Sequence, residues 1–392
     1  RDWAKELNAE IKHCGVERPA PPPEGLIDRD EGPVAPETRI PNEEATILPG
    51  YLSILDPRPA VVAGGNERSS GRRRTLARWI ASPENPITAR VLVNRVFQQH
   101  FGRGIVVTSE DFGRQGAKPS DARLLDYLAS EFISGGFRLK ALHRLLMTSA
   151  AYRQATRSLA GVGASAEPQE SLWWQVSRRR LTAEQLRDAM LAVSGELNLQ
   201  MGGPSARGEL PAGLSVAYAW EPDKDVAQRN RRSIYMLSRR NLVDPLVDAF
   251  DLPDSHEPCS RRQETTTAPQ ALMLLNARWS LDRARALAGR VLENSAGDRS
   301  HVVESAYMAT FQRPPDPAQH AAAEEFLNDQ SALIARRLAE STKPAMQTGK
   351  SKPPAVALPN GVGDDSPDKA WQAALVDFCH VLLNSNEFLY LD

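Results

Sequence analysis

Apolar residues recur three and four positions apart along most of the chain beyond residue 72, the spacing that gathers side chains on one face of an α-helix. Leu76, Trp79 and Ile80 form one stripe, and Ile87, Val91, Leu92, Val96 and Phe97 a second. Leu124, Leu125, Leu128 and Phe132 form a third, and Leu139, Leu142, Leu145 and Leu146 a fourth running toward Tyr152. Start and stop signals bracket these stripes. Asn85 before Pro86 opens a helix, because Asn caps free N–H groups and Pro sits where none is needed. Ser120 is expected to cap the third helix and Gly135-Gly136 to stop it. Thr182 with Gln185, and Thr267 with Gln270, are capping boxes. Further helices are expected over 279–294, 299–311 and 317–340, and one restarting at Ser366-Pro367 through Trp371, Leu375, Phe378 and Leu382.

The fold class that follows is mainly α: an irregular multi-helix array with a small extended or β segment near the N-terminus. Residues 1–70 read as the tail of a preceding module plus a Pro-rich linker, with a short helix at 2–13 around Trp3, Leu7 and Ile11. One or two short strands are expected within 38–56, broken at Pro49-Gly50, followed by an exposed loop over 57–71. Residues 71–392 read as the helical domain. Two segments interrupt it, a mobile Ala/Gly/Ser-rich loop at 157–169 and a flexible insertion at 341–368. Ser233 to Leu237 read as a short strand.

A chain of 392 residues can bury a substantial core. Its formal charge of -1 provides no global field for nucleic acid or an anionic membrane. No apolar run approaches the ~18 residues of a membrane span. The chain opens on Arg1-Asp2-Trp3 without a signal-peptide pattern, as expected of a fragment or processed product. Cys14, Cys259 and Cys379 are far apart and include no Cys-x-x-Cys, so zinc-ribbon, thioredoxin-like and haem-attachment signatures are absent and no cofactor or metal is expected.

Most catalytic motifs are missing: no Gly-x-Ser-x-Gly elbow, P-loop, His-Glu-x-x-His pair or Rossmann fingerprint. Asp111-Phe112-Gly113 imitates a kinase magnesium motif without the catalytic loop or the strand lysine that a kinase needs. Gly113-Arg114-Gln115-Gly116 imitates a nucleotide-clamping loop, with Phe112 and Pro119 in its flanks and no overall basic excess. None of the seven histidines stands at metal spacing from another His or Cys. His100 and His143 are either hydrogen-bonded structural groups or an acid and a base flanking a pocket.

The basic residues carry the sharpest bias, nine being lysine and 39 arginine. Arginine pairs bidentately with carboxylate, sulfate or phosphate and tolerates partial burial. Its clusters lie at Arg178 to Arg180, ahead of Glu184, Arg187 and Asp188; at Arg231-Arg232; at Arg239-Arg240; and at Arg261-Arg262. Glu184 and Asp188 are one helical turn apart, and Arg180 can reach back onto their face. The clusters make either an internal ion-pair network or an anion site. Tyr152, Trp173, Trp174, Tyr218 and Trp220 belong either to the core or to sugar-stacking surfaces.

Several stretches together resemble the planctomycete-specific domain family of unknown function. They include Leu76-Ala77-Arg78-Trp79-Ile80, Ala89 to Val96, Phe101-Gly102-Arg103-Gly104-Ile105-Val106, Asp111-Phe112-Gly113 through Gly116, and Leu139 to Arg144. Arg180 to Glu184, Met201-Gly202-Gly203-Pro204, Arg232-Ser233-Ile234-Tyr235, Pro269 to Leu272 and Leu383 to Phe388 continue the likeness, which runs from about residue 70 onward. The resemblance implies an exported, periplasmic or cell-surface protein of planctomycetes and related bacteria, whose fuller relatives often carry a cytochrome-c-like module upstream. The family supplies no catalytic residues to transfer.

The leading expectation is a non-catalytic binding or scaffold module for an acidic polysaccharide or a protein partner. Its candidate ligand-binding residues are Arg95, Arg114, Gln115, Arg144, Arg153, Arg180, Arg232, Arg261 and Arg262. A second is a saccharide hydrolase or lyase drawing acid and base groups from His100, His143, Asp111, Glu184 and Asp188. A third is a docking partner of a c-type cytochrome.

Overall fold

The structure is a computed structural model that describes residues 32–34, 38–40, 46–62, 65–67, 69–154, 178–210, 220–254, 256, 259–341 and 356–391. It is mainly α-helical. The expected helix at 2–13, the loop at 157–169, and Trp173, Trp174 and Tyr218 lie outside the described residues.

The chain divides into two compact units, residues 1–96 with 121–143, and residues 97–120 with 144–392. The first unit contains a two-residue antiparallel pair, β1 (Thr38–Arg39) and β2 (Thr46–Ile47). Helix α1 (Arg72–Ile80) follows, and none of its residues is fully buried, so its apolar stripe stays half open. Trp79 stacks on Tyr51 with ring centroids 4.7 Å apart and donates from Nε1 to Asp56. Arg58 also grips Asp56 and, with Trp79, draws its carboxyl down to about 2. The span 57–71 is therefore anchored at its start.

Helix α2 (Thr88–Phe101) begins as expected: Asn85 Oδ1 accepts from the amides of Ile87 and Thr88. Its buried face runs through Ala89, Val93 and Phe97, while Leu92 is exposed, so the core stripe is offset from the sequence reading. Helix α3 (Ala122–Ser134) is capped by Asp121 rather than Ser120, whose hydroxyl instead donates to Ile105. It ends where Gly135 caps it and Gly136 turns to φ 72°. Helix α4 (Leu139–Met147) completes the local array, burying Leu142 and Leu146.

The second unit holds β3 (Arg179–Arg180), α5 (Ala183–Val193), α6 (Val226–Arg229), α7 (Pro245–Ala249), α8 (Ala268–Asn276), α9 (Arg278–Asn294), α10 (Val302–Phe311), α11 (Pro317–Ser341), α12 (Lys369–Leu383), α13 (Asn386–Leu389) and β4 (Tyr390–Leu391). Strands β3 and β4 pair antiparallel, Arg180 opposite Tyr390. Ser233–Tyr235 form a 3-10 turn, not the expected strand; the amide of Tyr235 bonds back to Arg232 and that of Met236 to Ser233.

Small residues let α9, α10 and α12 pack closely. Ala284, Leu287, Ala288 and Val291 of α9 meet Val302, Val303 and Ala306 of α10 and Ala373, Ala374, Leu375, Val376 and Cys379 of α12 in one apolar cluster. Burial pushes the Cys379 thiol up, far from any reactive thiolate. Within 341–368, residues 342–355 lie outside the described residues, whereas 356–362 dock on α9. Leu358 is buried, its carbonyl accepts from Arg285 Nε at 2.8 Å, and the Asn360 amide donates to the Arg285 carbonyl.

Candidate functional site

Strand β3 and the start of α5 carry the first arginine cluster into a polar knot. Arg180 pairs with Asp251 at 2.7 Å and donates to the Thr265 carbonyl and to Gln270 Oε1 at 2.6 Å, with its guanidinium 4.9 Å from the Phe250 ring centre. Gln270 is buried. Its Oε1 also accepts from the Thr267 amide, which places the start of α8 in the same knot. Burial raises the Asp251 carboxyl, but hydrogen bonds from Thr265 and Arg180 outweigh it and leave it below the usual range. Arg262 grips Glu184 with two bonds of 2.6 and 2.7 Å, and that pairing lowers the Glu184 carboxyl.

One turn further along α5, buried Arg187 donates to the carbonyls of Arg229 and Arg231. It also meets Asp188 at 3.4 Å, and Asp188 accepts from the amide and hydroxyl of Ser233. Desolvation lowers the Arg187 pKa. Arg231, 1% exposed, donates to the carbonyls of Gln200, Gly202 and Pro204 and lies 4.4 Å from the centre of the Tyr235 ring. The Met201-Gly202-Gly203-Pro204 stretch thus becomes intelligible: Gly202 and Gly203, at φ 75° and 78°, wrap the backbone around a guanidinium.

The residues singled out in the sequence divide accordingly. Arg180, Glu184 and Arg262 share one neighbourhood and already hold internal partners. Arg114, Gln115, Arg144, Arg153, Arg232 and Arg261 of the second unit are exposed, as is Arg95 of the first. Asp111 accepts from the amide of Gly113 at 2.7 Å in a local turn, and a Cβ at Gly116 would stand 2.0 Å from the Asp111 carbonyl oxygen. The kinase-like and nucleotide-clamp-like residues therefore form one tight loop. His100 packs edge-on against Tyr152 in the second unit, and His143 is half-buried in the first. Trp220 is a core residue whose Nε1 donates to Gly208 at 2.9 Å.

Beside this network lies a cavity of about 360 Å³ in the second unit. Met236, Leu246, Met273, Leu274 and Trp279 supply its apolar wall. Arg187, Arg283, Asn230, Ser280 and Asp244 supply polar groups. Arg283 interrupts the buried stripe of α9; it is held by Glu196 at 2.8 Å and lies 5.4 Å from the centre of the Trp279 ring. Arg283 is not among the residues singled out in the sequence; its place three after Ser280 and four before Leu287, on the face that buries both, is the signal that marks it.

Ser280 and His380 are 3.2 Å apart and resemble a nucleophile with its base. The same His380 Nε2 is 3.0 Å from the Leu274 carbonyl, which can only accept. Nε2 therefore carries the hydrogen and has no lone pair with which to activate the hydroxyl. Among the described residues no group of three or more His, Cys, Asp or Glu is placed to hold a metal ion, and no helix is long and apolar enough to cross a membrane.

No curated protein and no solved structure matches the chain. The profile of PSD1, described as a protein of unknown function (DUF1553), matches residues 72–327, which takes in α1 through α10 and the whole wall of the cavity. The chain belongs to the PSD1 (DUF1553) family.

Proposed function

We propose that this domain is a non-catalytic binding module whose cavity between α7, α8 and α9 accepts a compact amphipathic ligand. The carrying observation is a preformed hollow of about 360 Å³, apolar on one wall and polar on another, within the ~300–1,000 Å³ range of small-molecule pockets. Buried arginines fixed by carbonyls and carboxylates build its polar wall, so binding need not order them. The test is a ligand-observed NMR fragment screen followed by thermal shift, on the parent chain and on Met273→Trp. Hits are expected to stabilise the parent, by about 2.7 kcal/mol at a hundredfold excess over Kd. They should fail to stabilise the filled variant while its helical circular dichroism is unchanged. Hits that bind both proteins equally would remove the reading.

An acidic polysaccharide as the ligand draws support from the exposed guanidinia of Arg114, Arg144, Arg153, Arg232 and Arg261. Arg180 and Arg262, engaged internally, do not add to it. Export to the periplasm or cell surface, a planctomycete source and docking to a c-type cytochrome rest on the family resemblance alone. The saccharide hydrolase stands behind these readings, because Glu184 and Asp188 each already hold a guanidinium, and a glycosidase acid needs a raised pKa.

A further inference from the structure

The chemistry around the cavity is uneven, and the unevenness selects a ligand. Its guanidinia are matched by carboxylates: Arg187 by Asp188 at 3.4 Å, Arg229 by Glu209 at 2.9 Å, Arg278 by Asp282 at 3.7 Å and Arg283 by Glu196 at 2.8 Å. Asp244 is the exception. Its Oδ1 accepts from the Leu246 amide at 2.9 Å to cap α7; it makes no ion pair within 4.0 Å among the described residues and feels the Arg187 guanidinium only at longer range. Its Oδ2 points toward Gly208, 3.8 Å from where a Cβ would sit there, on the cavity wall.

Two other groups offer hydrogens. Asn230 is 7% exposed, and its Oδ1 is taken by Arg283 at 3.5 Å, so its amide nitrogen is the group left to donate. Ser280 is 1% exposed; its oxygen shares the His380 N–H, which leaves its own O–H as a donor. One carboxylate with no direct ion pair, two neutral donors and an apolar wall describe a molecule with an ammonium group, a carbonyl and an aliphatic side chain.

We infer that the cavity binds the free amino end of a short peptide with an apolar first residue, its ammonium at Asp244, its first carbonyl at Asn230 and Ser280, and its side chain against Leu246, Met273 and Trp279. The inference rests on the binding reading above and adds the ligand class. An anionic end is disfavoured because every guanidinium lining the space already has a carboxylate partner. A carboxylate facing an ammonium in a half-closed hollow also retains much of its attraction at physiological ionic strength.

The experiment is calorimetric titration of the full chain with leucyl-leucine amide and with its N-acetyl form. The free amine is expected to bind about tenfold more tightly. Asp244→Asn should erase that preference while leaving α7 capped, since Asn caps helices as Asp does. Met273→Trp should abolish binding of both peptides. Equal affinity for the two in the parent chain, or a preference that survives Asp244→Asn, overturns the inference. If neither peptide binds while fragments still bind in a Met273-dependent manner, the peptide inference fails and the cavity reading stands. If nothing binds the cavity, both fall.

Discussion

The α9–α10–α12 stack and the stretch from β3 to α8 solve the same problem with different chemistry. The stack is regular, so its backbone groups bond within each helix, and alanine, valine and leucine are enough to join the faces. The described residues between 178 and 277 form short helices, single turns and loops that leave many carbonyls without a helical partner. Arginine closes that gap. Arg180, Arg187, Arg229 and Arg231 each donate to at least one backbone carbonyl, and Arg231 donates to three. Five donors in a planar fork on one side chain can satisfy several carbonyls together, which an ammonium on a flexible stem does poorly. The excess of arginine over lysine is, in this region, a consequence of irregular backbone.

The sharpest way to break this comparison is Arg231→Lys. Three carbonyls lose their shared donor, and about 3 kcal/mol of stability should be lost by urea denaturation. Leu375→Met in the stack conserves volume and should cost less than about 1.5 kcal/mol. A lysine variant as stable as the parent would show that charge alone, not the fork, holds the 200–204 loop. Next in size is Gly289→Ala. Alanine ordinarily stabilises a helix interior by about 1 kcal/mol over glycine, but here its Cβ would stand 2.7 Å from the Asn360 carbonyl oxygen. A net loss of about 2 kcal/mol is expected from forcing the 356–362 segment outward, together with faster amide exchange at Asn360.

The smallest effect concerns the half-exposed Arg262–Glu184 pair. Glu184→Gln should cost about 1 kcal/mol at neutral pH. The folded-state pKa of Glu184 is lowered, so the pair's contribution is fully present above the unfolded value of roughly 4.3 and disappears as pH falls through the lowered one. The stability gap between parent and variant should therefore close below that window in denaturation curves at stepped pH. A gap that persists into acid would assign the cost to packing.

The sequence made the helices legible because their signals are local. Asn85 and Thr182 mark starts by accepting from amides two or three residues on, Thr267 by donating its own amide to Gln270 Oε1 three residues on, and Gly136 marks a stop through its own backbone angle. At 233–235 Ile234, Tyr235 and Met236 look like a strand by type, while the bonds that fix Ser233 at the start of the turn run to Glu184 and Asp188, some 45 to 49 residues away. The arginine clusters stood out, yet their partners did not. Glu184 finds Arg262 across 78 residues, and Arg187 finds the carbonyls of 229 and 231 only once the chain has folded back. The cavity was hidden for the same reason, since Asp244, Met273 and Arg283 share no pattern in sequence.

Gln270 ties a neighbourly event to a distant one. A helix beginning such as that of α8 can form in nanoseconds to microseconds from its own residues, yet the amide that completes it also receives Arg180, 90 residues earlier, and reaches Asp251 and Thr265. Closure across so long a span comes late in folding. The N-terminal turn of α8 should thus flicker until β3 arrives and then become fixed at the moment the knot closes. In the finished protein that turn and β3 must open together, as one cooperative piece.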